Sequence, residues 1–261
     1  MQECTNAQGT VRALWQCCIP ALRRLADSVL SVVLSPSCAA CGQLLDRPTT
    51  GPVCELCWRS ILPLTPPLCE GCGDPLPTWR SISIPLASCP RCRRGARHVD
   101  RARAIGAYDG TLRAVVHAFK YEGRRSLAVP LAALMRTRGA DVMAGADCVI
   151  PVPLHQSRRR ERGFNQAADL ARHVGLPVRL ALRRARATPT QTGLPAAQRR
   201  RNVRGAFALA RDGGLAGSTV VLIDDVSTTG ATLDACALVL KGAGVREVRA
   251  LTAARVVTEP R

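Results

Sequence analysis

Two groups of residues in this chain have the types and spacing that chemistry requires. The first is a set of four CxxC pairs drawn from thirteen cysteines: "CAAC" (Cys38, Cys41), "CELC" (Cys54, Cys57), "CEGC" (Cys69, Cys72) and "CPRC" (Cys89, Cys92). A CxxC turn aims two thiolates at one point, and two such turns complete a tetrahedron of soft sulfur around zinc. Four pairs make two closed sites, and a closed site leaves no open coordination position, so the metal is read as structural rather than catalytic. Gly42, Gly73 and Gly95 follow three of the pairs and permit the tight backbone of a knuckle. Pairing in chain order (38, 41, 54, 57 with 69, 72, 89, 92) is the simple ribbon arrangement, an interleaved one is the alternative, and spacing does not choose between them. A redox dithiol needs a thioredoxin-like βαβ setting, which residues 36–97 lack. Cys4, Cys17, Cys18, Cys148 and Cys236 are unpaired by spacing and read as ordinary buried or tail thiols.

The second group is "VVLIDDVSTTGATL", residues 220–233. An uninterrupted apolar run ends in Asp224 and Asp225, and small hydroxyl residues and a glycine follow. Such a strand, turn and helix start converge backbone N–H groups and hydroxyls on one spot at a positive helix end, which suits a phosphate monoester. Two carboxylates beside a phosphate nest call for a ligand that also offers hydroxyls or a metal. A sugar phosphate meets both demands, its vicinal hydroxyls facing the acids and its 5′-phosphate in the turn. A plain helix N-cap with chance acids leaves the doubled carboxylate unexplained.

These groups need elements to hold them. From about Arg97 the cysteines thin out and a βα rhythm begins. "RARAIGAYD", "DCVIPVPL", "TVVLID" and "REVRALTAARV" read as strands; "TLRAVVHAFKY", "SLAVPLAALMRTR", "FNQAADLARHVG" and "ATLDACALVLKGAG" read as helices. Strands alternating with helices predict an α/β fold, a parallel sheet with helices on both faces. In such sheets ligands bind beyond the carboxyl ends of the strands, where the DDVSTTGAT stretch falls. The expected organisation is an N-terminal helix and tail over 1–35, a small double zinc ribbon over 36–97 and the α/β domain over 98–261.

The formal charge is +18 and nearly all of it is arginine, the only lysines being Lys120 and Lys241. Such an excess favours phosphate-bearing partners through counterion release. For any single arginine a GC-rich genome is an equal explanation, but less so for "RRRERG" (158–163) and "QRRRNVR" (198–204). The apolar segment 13–34 carries Arg23, Arg24 and Asp27, is interrupted by Pro20 and lacks a cleavage pattern, so neither a transmembrane span nor a signal peptide fits. An amphipathic helix from Ala21 to Leu34 fits better. Its apolar side (Leu22, Leu25, Val29, Val32, Val33) is expected to pack on the protein itself, with membrane-surface contact as the alternative. An odd cysteine count without an export signal points to the cytoplasm.

The DDVSTTGAT stretch resembles the phosphoribosyl-pyrophosphate (PRPP) signature of type I phosphoribosyltransferases. Together with the cysteine-pair head, "IPVPLHQSRRRERGFNQAADLA" and "QTGLPAAQRRRNVRGAF", the chain resembles the ComF family of competence-associated proteins from about residue 36 to its C-terminus. Ser227 departs from the signature, which usually has an apolar residue there. The resemblance implies the type I phosphoribosyltransferase fold behind a double zinc ribbon. It implies that Asp224 and Asp225 hold the ribose hydroxyls, with Mg²⁺ accompanying PRPP, and that Thr228, Thr229, Gly230, Ala231 and Thr232 cradle the 5′-phosphate. Lys120, in "FKYEGRR", falls where these enzymes place a pyrophosphate-contacting loop. Arg158, Arg159, Arg160, Arg162, Asn165 and Gln166 are candidates for pyrophosphate, an acceptor or a nucleic-acid backbone. Gln191, Arg199, Arg200 and Asn202 belong to the turn-rich stretch expected to form a lid. Lys120 and Arg199 are the catalytic candidates for a pentosyl transfer. Thr228 stands where purine-salvage relatives carry an aspartate, which lowers the odds of that class. Three readings stand: a phosphoribosyltransferase, a PRPP sensor without turnover, and a protein of DNA uptake that grips single-stranded DNA and meets the uptake machinery.

Overall fold

The structure is a computed structural model that describes residues 22–76, 88–95, 97–186, 203, 205–210 and 214–257. The chain divides into two compact units, Met1–Ser60 and Ile61–Arg261. The second cysteine cluster thus shares a unit with the sheet, a division by contact that differs from the division by motif at residue 97.

In the first unit, helix α1 (residues 22–34) precedes the first cysteine knuckle, a 3₁₀ turn (Pro48–Thr50) and helix α2 (Glu55–Ser60). Ser37 bridges Leu44, and the Gly42 amide donates to the Cys38 carbonyl (2.9 Å) with Gly42 at φ 75°, the left-handed conformation that glycine adopts freely. The predicted inward face of α1 is exposed: Leu22, Leu25, Val29, Val32 and Val33 all face outward. The helix instead turns its polar side to the knuckle. The Thr49 amide donates to buried Asp27 (2.9 Å) and the Ser31 hydroxyl donates to the Leu45 carbonyl (3.2 Å). A buried carboxylate must keep its hydrogen bond, and that requirement sets the helix rotation against the apolar preference.

The second unit is built on four parallel strands in the order β1-β6-β5-β2. They are β1 (Arg101–Ala107), β2 (Cys148–Pro151), β5 (Thr219–Ser227) and β6 (Glu247–Arg255). Val220 to Ile223 are fully buried because a central parallel strand is covered on both faces. A two-stranded antiparallel hairpin, β3 (Leu182–Arg184) with β4 (Phe207–Leu209), stands apart from the sheet. Three-residue strands carry too little alternation to be read from sequence, and neither was expected.

The predicted helices form. Helix α3 (Pro90–Arg93) belongs to the second knuckle. Helix α4 (Gly110–Tyr121) is capped by Asp109 and buries Leu112, Val115, Val116 and Phe119. Then come α5 (Ala128–Arg138), α6 (Ala140–Met143), α7 (Gln156–Arg162) and α8 (Gln166–Ala171). Helix α8 is shorter than its sequence pattern, which runs on to Gly175. Helix α9 (Ala231–Gly242) follows the phosphate-loop sequence and buries Leu233, Cys236, Ala237 and Leu240. No described helix is long and apolar enough to cross a membrane.

The second knuckle covers the free edge of β1. The Ala102 amide donates to the Glu70 carbonyl (3.0 Å), and the Glu70 carboxylate pairs with Arg101 (2.7 Å) and Arg103 (3.0 Å). Gly73 makes this contact possible, since a Cβ there would lie 2.8 Å from the Ala102 carbonyl oxygen.

Candidate functional site

The eight cysteines form two clusters in chain order, Cys38–Cys41–Cys54–Cys57 and Cys69–Cys72–Cys89–Cys92, each with all sulfurs within 4.8 Å of one another. That settles the pairing left open by spacing. The separations of Cys41 Sγ from Cys54 Sγ (3.9 Å) and of Cys72 Sγ from Cys89 Sγ (3.7 Å) match the edge of about 3.8 Å in a tetrahedron built on zinc–sulfur bonds. Amides of Ala40 and Cys54 donate to Cys38 Sγ (3.4 and 3.3 Å). Against the desolvation that opposes it, such donation draws the Cys38 thiol down to about 6, favouring the thiolate that a metal needs. The chemistry of the donor set fits zinc at both clusters. Cys148 and Cys236 are buried free thiols, as expected.

Strand β5 carries the acids within its ladder rather than after it. Asp224 is in register with Thr252, and Ser227 with Arg255, so the loop is short: Thr228, Thr229 and Gly230, with Ala231 and Thr232 already in α9. Gly230 takes φ 76°, and Thr229 Oγ1 accepts from the Ala231 amide (3.3 Å). Among the described residues the Thr228, Thr229 and Gly230 amides donate to nothing. Unpaired amides at a helix start form an anion-binding nest.

Successive strand residues point to opposite faces. Asp225 follows the face of Val221 and Ile223 and meets α4, where Lys120 Nζ lies 2.9 Å from Asp225 Oδ1. Burial opposes the Lys120 charge, yet the carboxylates of Asp225 and Asp224 outweigh it and raise the pKa above the ordinary lysine value. Asp224 follows the face of Val220 and Leu222, toward α9 and the hairpin. It is half-buried, and desolvation followed by repulsion from Asp225 pushes its carboxyl up to about 7, with Lys120 and Arg184 opposing.

Around this edge the basic helix α7 divides its arginines. Arg159 and Arg160 are exposed, whereas Arg158 and Arg162 are half-buried. The Arg162 guanidinium lies 4.9 Å over the Tyr121 ring, beside Lys120, and donates to Gln166 Oε1 (3.3 Å). Gln166 is buried, so it reaches a ligand only through Arg162. Asn165 caps α8 by accepting from the Ala167 amide (3.1 Å) and ties it to the end of β2 by donating to the Val152 carbonyl (3.2 Å). His155 caps α7 through the Ser157 amide. Gln191, Arg199, Arg200 and Asn202, with Cys4, Cys17 and Cys18, lie outside the described residues.

Sequence reasoning missed three groups. Arg184, on β3, stacks on Phe207 (5.3 Å) and acts electrostatically on Asp224. Arg97 presses against the loop, its Nη1 lying 3.0 Å from where a Cβ on Gly230 would sit. Arg255, only 2% exposed, pairs with buried Asp74 of the second knuckle and donates to Ser227 Oγ (3.3 Å). Asp74 also pairs with Arg91 (2.8 Å), whose guanidinium reaches Cys72 Sγ (3.8 Å). One available signal was Ser227 itself, the polar departure from an apolar position, which here accepts from Arg255.

Comparison with known proteins agrees with the two cysteine clusters and the parallel sheet. Residues 29–93 match the double zinc ribbon domain and residues 160–259 the phosphoribosyl transferase domain. The chain is 30% identical over 214 residues to competence protein F of Haemophilus influenzae, covering 78% of this chain and 90% of that one. It is 31% identical over 210 residues to the DNA utilization protein YhgH of Escherichia coli K12, covering 76% and 87%. Competence protein ComFC of Bacillus subtilis is 26% identical over 185 residues, covering 69% and 74%. With two zinc-ribbon clusters ahead of a phosphoribosyltransferase-like parallel sheet, the chain belongs to the ComF family.

Proposed function

We propose that this chain binds PRPP, with magnesium, at the carboxyl edge of β5 and works in the cytoplasmic handling of DNA taken up by the cell. The observation that carries the reading is the Lys120–Asp225 pair (2.9 Å) beside a loop whose Thr228, Thr229 and Gly230 amides have no acceptor among the described residues. A 5′-phosphate occupies the Thr228–Thr232 loop, and the ribose hydroxyls exchange with Lys120 for Asp225. Lys120, freed from its carboxylate, turns to the pyrophosphate as a compact charge. Asp224, on the other face, accepts Mg²⁺ or a hydroxyl once its proton leaves. Binding of this kind positions C1 of the ribose for attack and neutralises the leaving group, which is what a pentosyl transfer requires.

The competence and DNA-utilization relatives support a role with DNA, and the exposed Arg159 and Arg160 support an electrostatic grip on single strands. Aromatic residues are 3% of the chain, so that grip is backbone-directed rather than stacked. The knuckles and the sheet, 36–97 and 98–261, serve as zinc ribbon and phosphoribosyl domain respectively. Calorimetry with zinc-loaded protein, PRPP and Mg²⁺ tests the proposal: heat of binding is expected for the natural chain and its loss for Asp225→Asn. Absence of binding by the natural chain overturns it. Pyrophosphate release over a panel of bases then separates transferase from sensor.

A further inference from the structure

Between the second knuckle and β1 the chain passes over the start of α9, and there it places a cation that has no partner among the described residues. Arg97 is half-buried and makes no hydrogen bond or ion pair among the described residues. Its Nη1 lies 3.0 Å from the position of a Cβ on Gly230, against the loop itself. Arg97 and Thr229 line one cleft of about 250 Å³, together with Arg91, His98, Phe207 and Leu238.

The placement is held from the helix side. The carboxylate of Asp234, in the first turn of α9, accepts from the amides of the next two residues, His98 (2.7 Å) and Val99 (3.4 Å). The linker cannot swing away without abandoning those bonds. Yet the site it is held against is positive already, because unpaired amides and the helix dipole point there. An unpaired guanidinium fixed at a positive helix end and partly stripped of water is unfavourable by itself. It becomes favourable when an anion sits between guanidinium and amides.

We propose that Arg97 is a ligand of the phosphate group held by the Thr228–Thr232 loop, so that the linker leaving the second zinc knuckle supplies part of the phosphoribosyl site. The inference rests on the PRPP reading for the identity of the phosphate. A phosphate monoester accepts two donors from the guanidinium fork while the loop amides take its remaining oxygens. The knuckle is then a wall of the site as well as a cover for the sheet edge.

The test is calorimetry on the full zinc-loaded chain with three ligands: PRPP with Mg²⁺, ribose 5-phosphate, and inorganic phosphate. Arg97→Ala is expected to weaken each by about 10- to 100-fold, the range for a charge-assisted hydrogen bond in a partly buried site. Arg97→Lys is expected to recover part of the loss, since it restores charge without the fork. Zinc content and melting temperature should stay at the natural values in both variants, because Arg97 holds no other hydrogen bond or ion pair among the described residues. Unchanged affinities in both variants overturn the role of Arg97 and leave the PRPP reading standing. Phosphate binding that depends on Arg97, without PRPP binding, supports Arg97 and overturns the ribose reading. If the natural chain binds none of the three ligands, both fall.

Discussion

Replacing Asp74 by alanine removes the carboxylate that neutralises two arginines, one of them among the most deeply buried side chains. Arg255 is 2% exposed and Asp74 5% exposed, so the guanidinium left behind cannot regain water. Breaking a buried pair by removing one partner costs about 3–5 kcal/mol, much of it the uncompensated charge. Arg255 keeps its bond to Ser227 Oγ, a neutral acceptor at 3.3 Å, which offsets little. The unit spans Ile61–Arg261. At about 2.1 cal/mol/K per residue over roughly 200 residues, the melting temperature should fall by about 7–12 °C. Calorimetric melting of zinc-loaded protein reads this directly, and zinc analysis confirms that the metal is retained. A second variant fixes the sign: Arg255→Met added to Asp74→Ala removes the orphaned charge and should recover at least half of the loss. A fall of less than about 2 °C for Asp74→Ala, or further loss in the double variant, would refute the buried-pair account.

Three other outcomes follow from the site. The Asp224 carboxyl sits near 7, above its unfolded value of 3.8, so the folded state holds the extra proton between them. Stability of the unliganded chain should fall as pH rises through that window and level off above about 7; Mg²⁺–PRPP affinity should rise through it by at most about tenfold per unit. Asp224→Asn should flatten both profiles, and a flat profile in the natural chain would count against the assignment. Because the two cysteine clusters lie in different units, Cys41→Ser and Cys72→Ser should each lower bound zinc from about two to about one per chain. Only the latter should lower the melting of the sheet, read by calorimetry. Single-stranded DNA affinity should fall steeply with salt, and alanine at Arg158, Arg159 and Arg160 together should reduce the log–log slope by about 2, measured by fluorescence anisotropy.

Much of this protein was legible in its sequence because the signals are local. A CxxC turn, a helix such as that over 111–121 and a strand such as Val220–Ile223 each follow from a few consecutive residues. So does the turn after Ser227, whose glycine takes the left-handed conformation just before a helix begins. The eight clustered cysteines and the adjacent acids at the end of the strand are legible in this way. Lys120 was singled out because a chain rich in arginine kept a lysine there, and the fold sets it 2.9 Å from Asp225.

What the tertiary structure alone decided depends on residues far apart in the chain. Sulfur pairing, the rotation of α1 that buries Asp27 rather than its valines, and the extension of β5 past Ile223 along β6, which puts Asp224 and Asp225 on opposite faces, all belong here. So do Arg97 at Gly230 and the Asp74–Arg255 pair, which join residues more than a hundred positions apart. Local patterns record what a segment can form. Which buried charge finds which partner is settled only when the segments meet, since the energy of such a pair depends on the water that packing excludes.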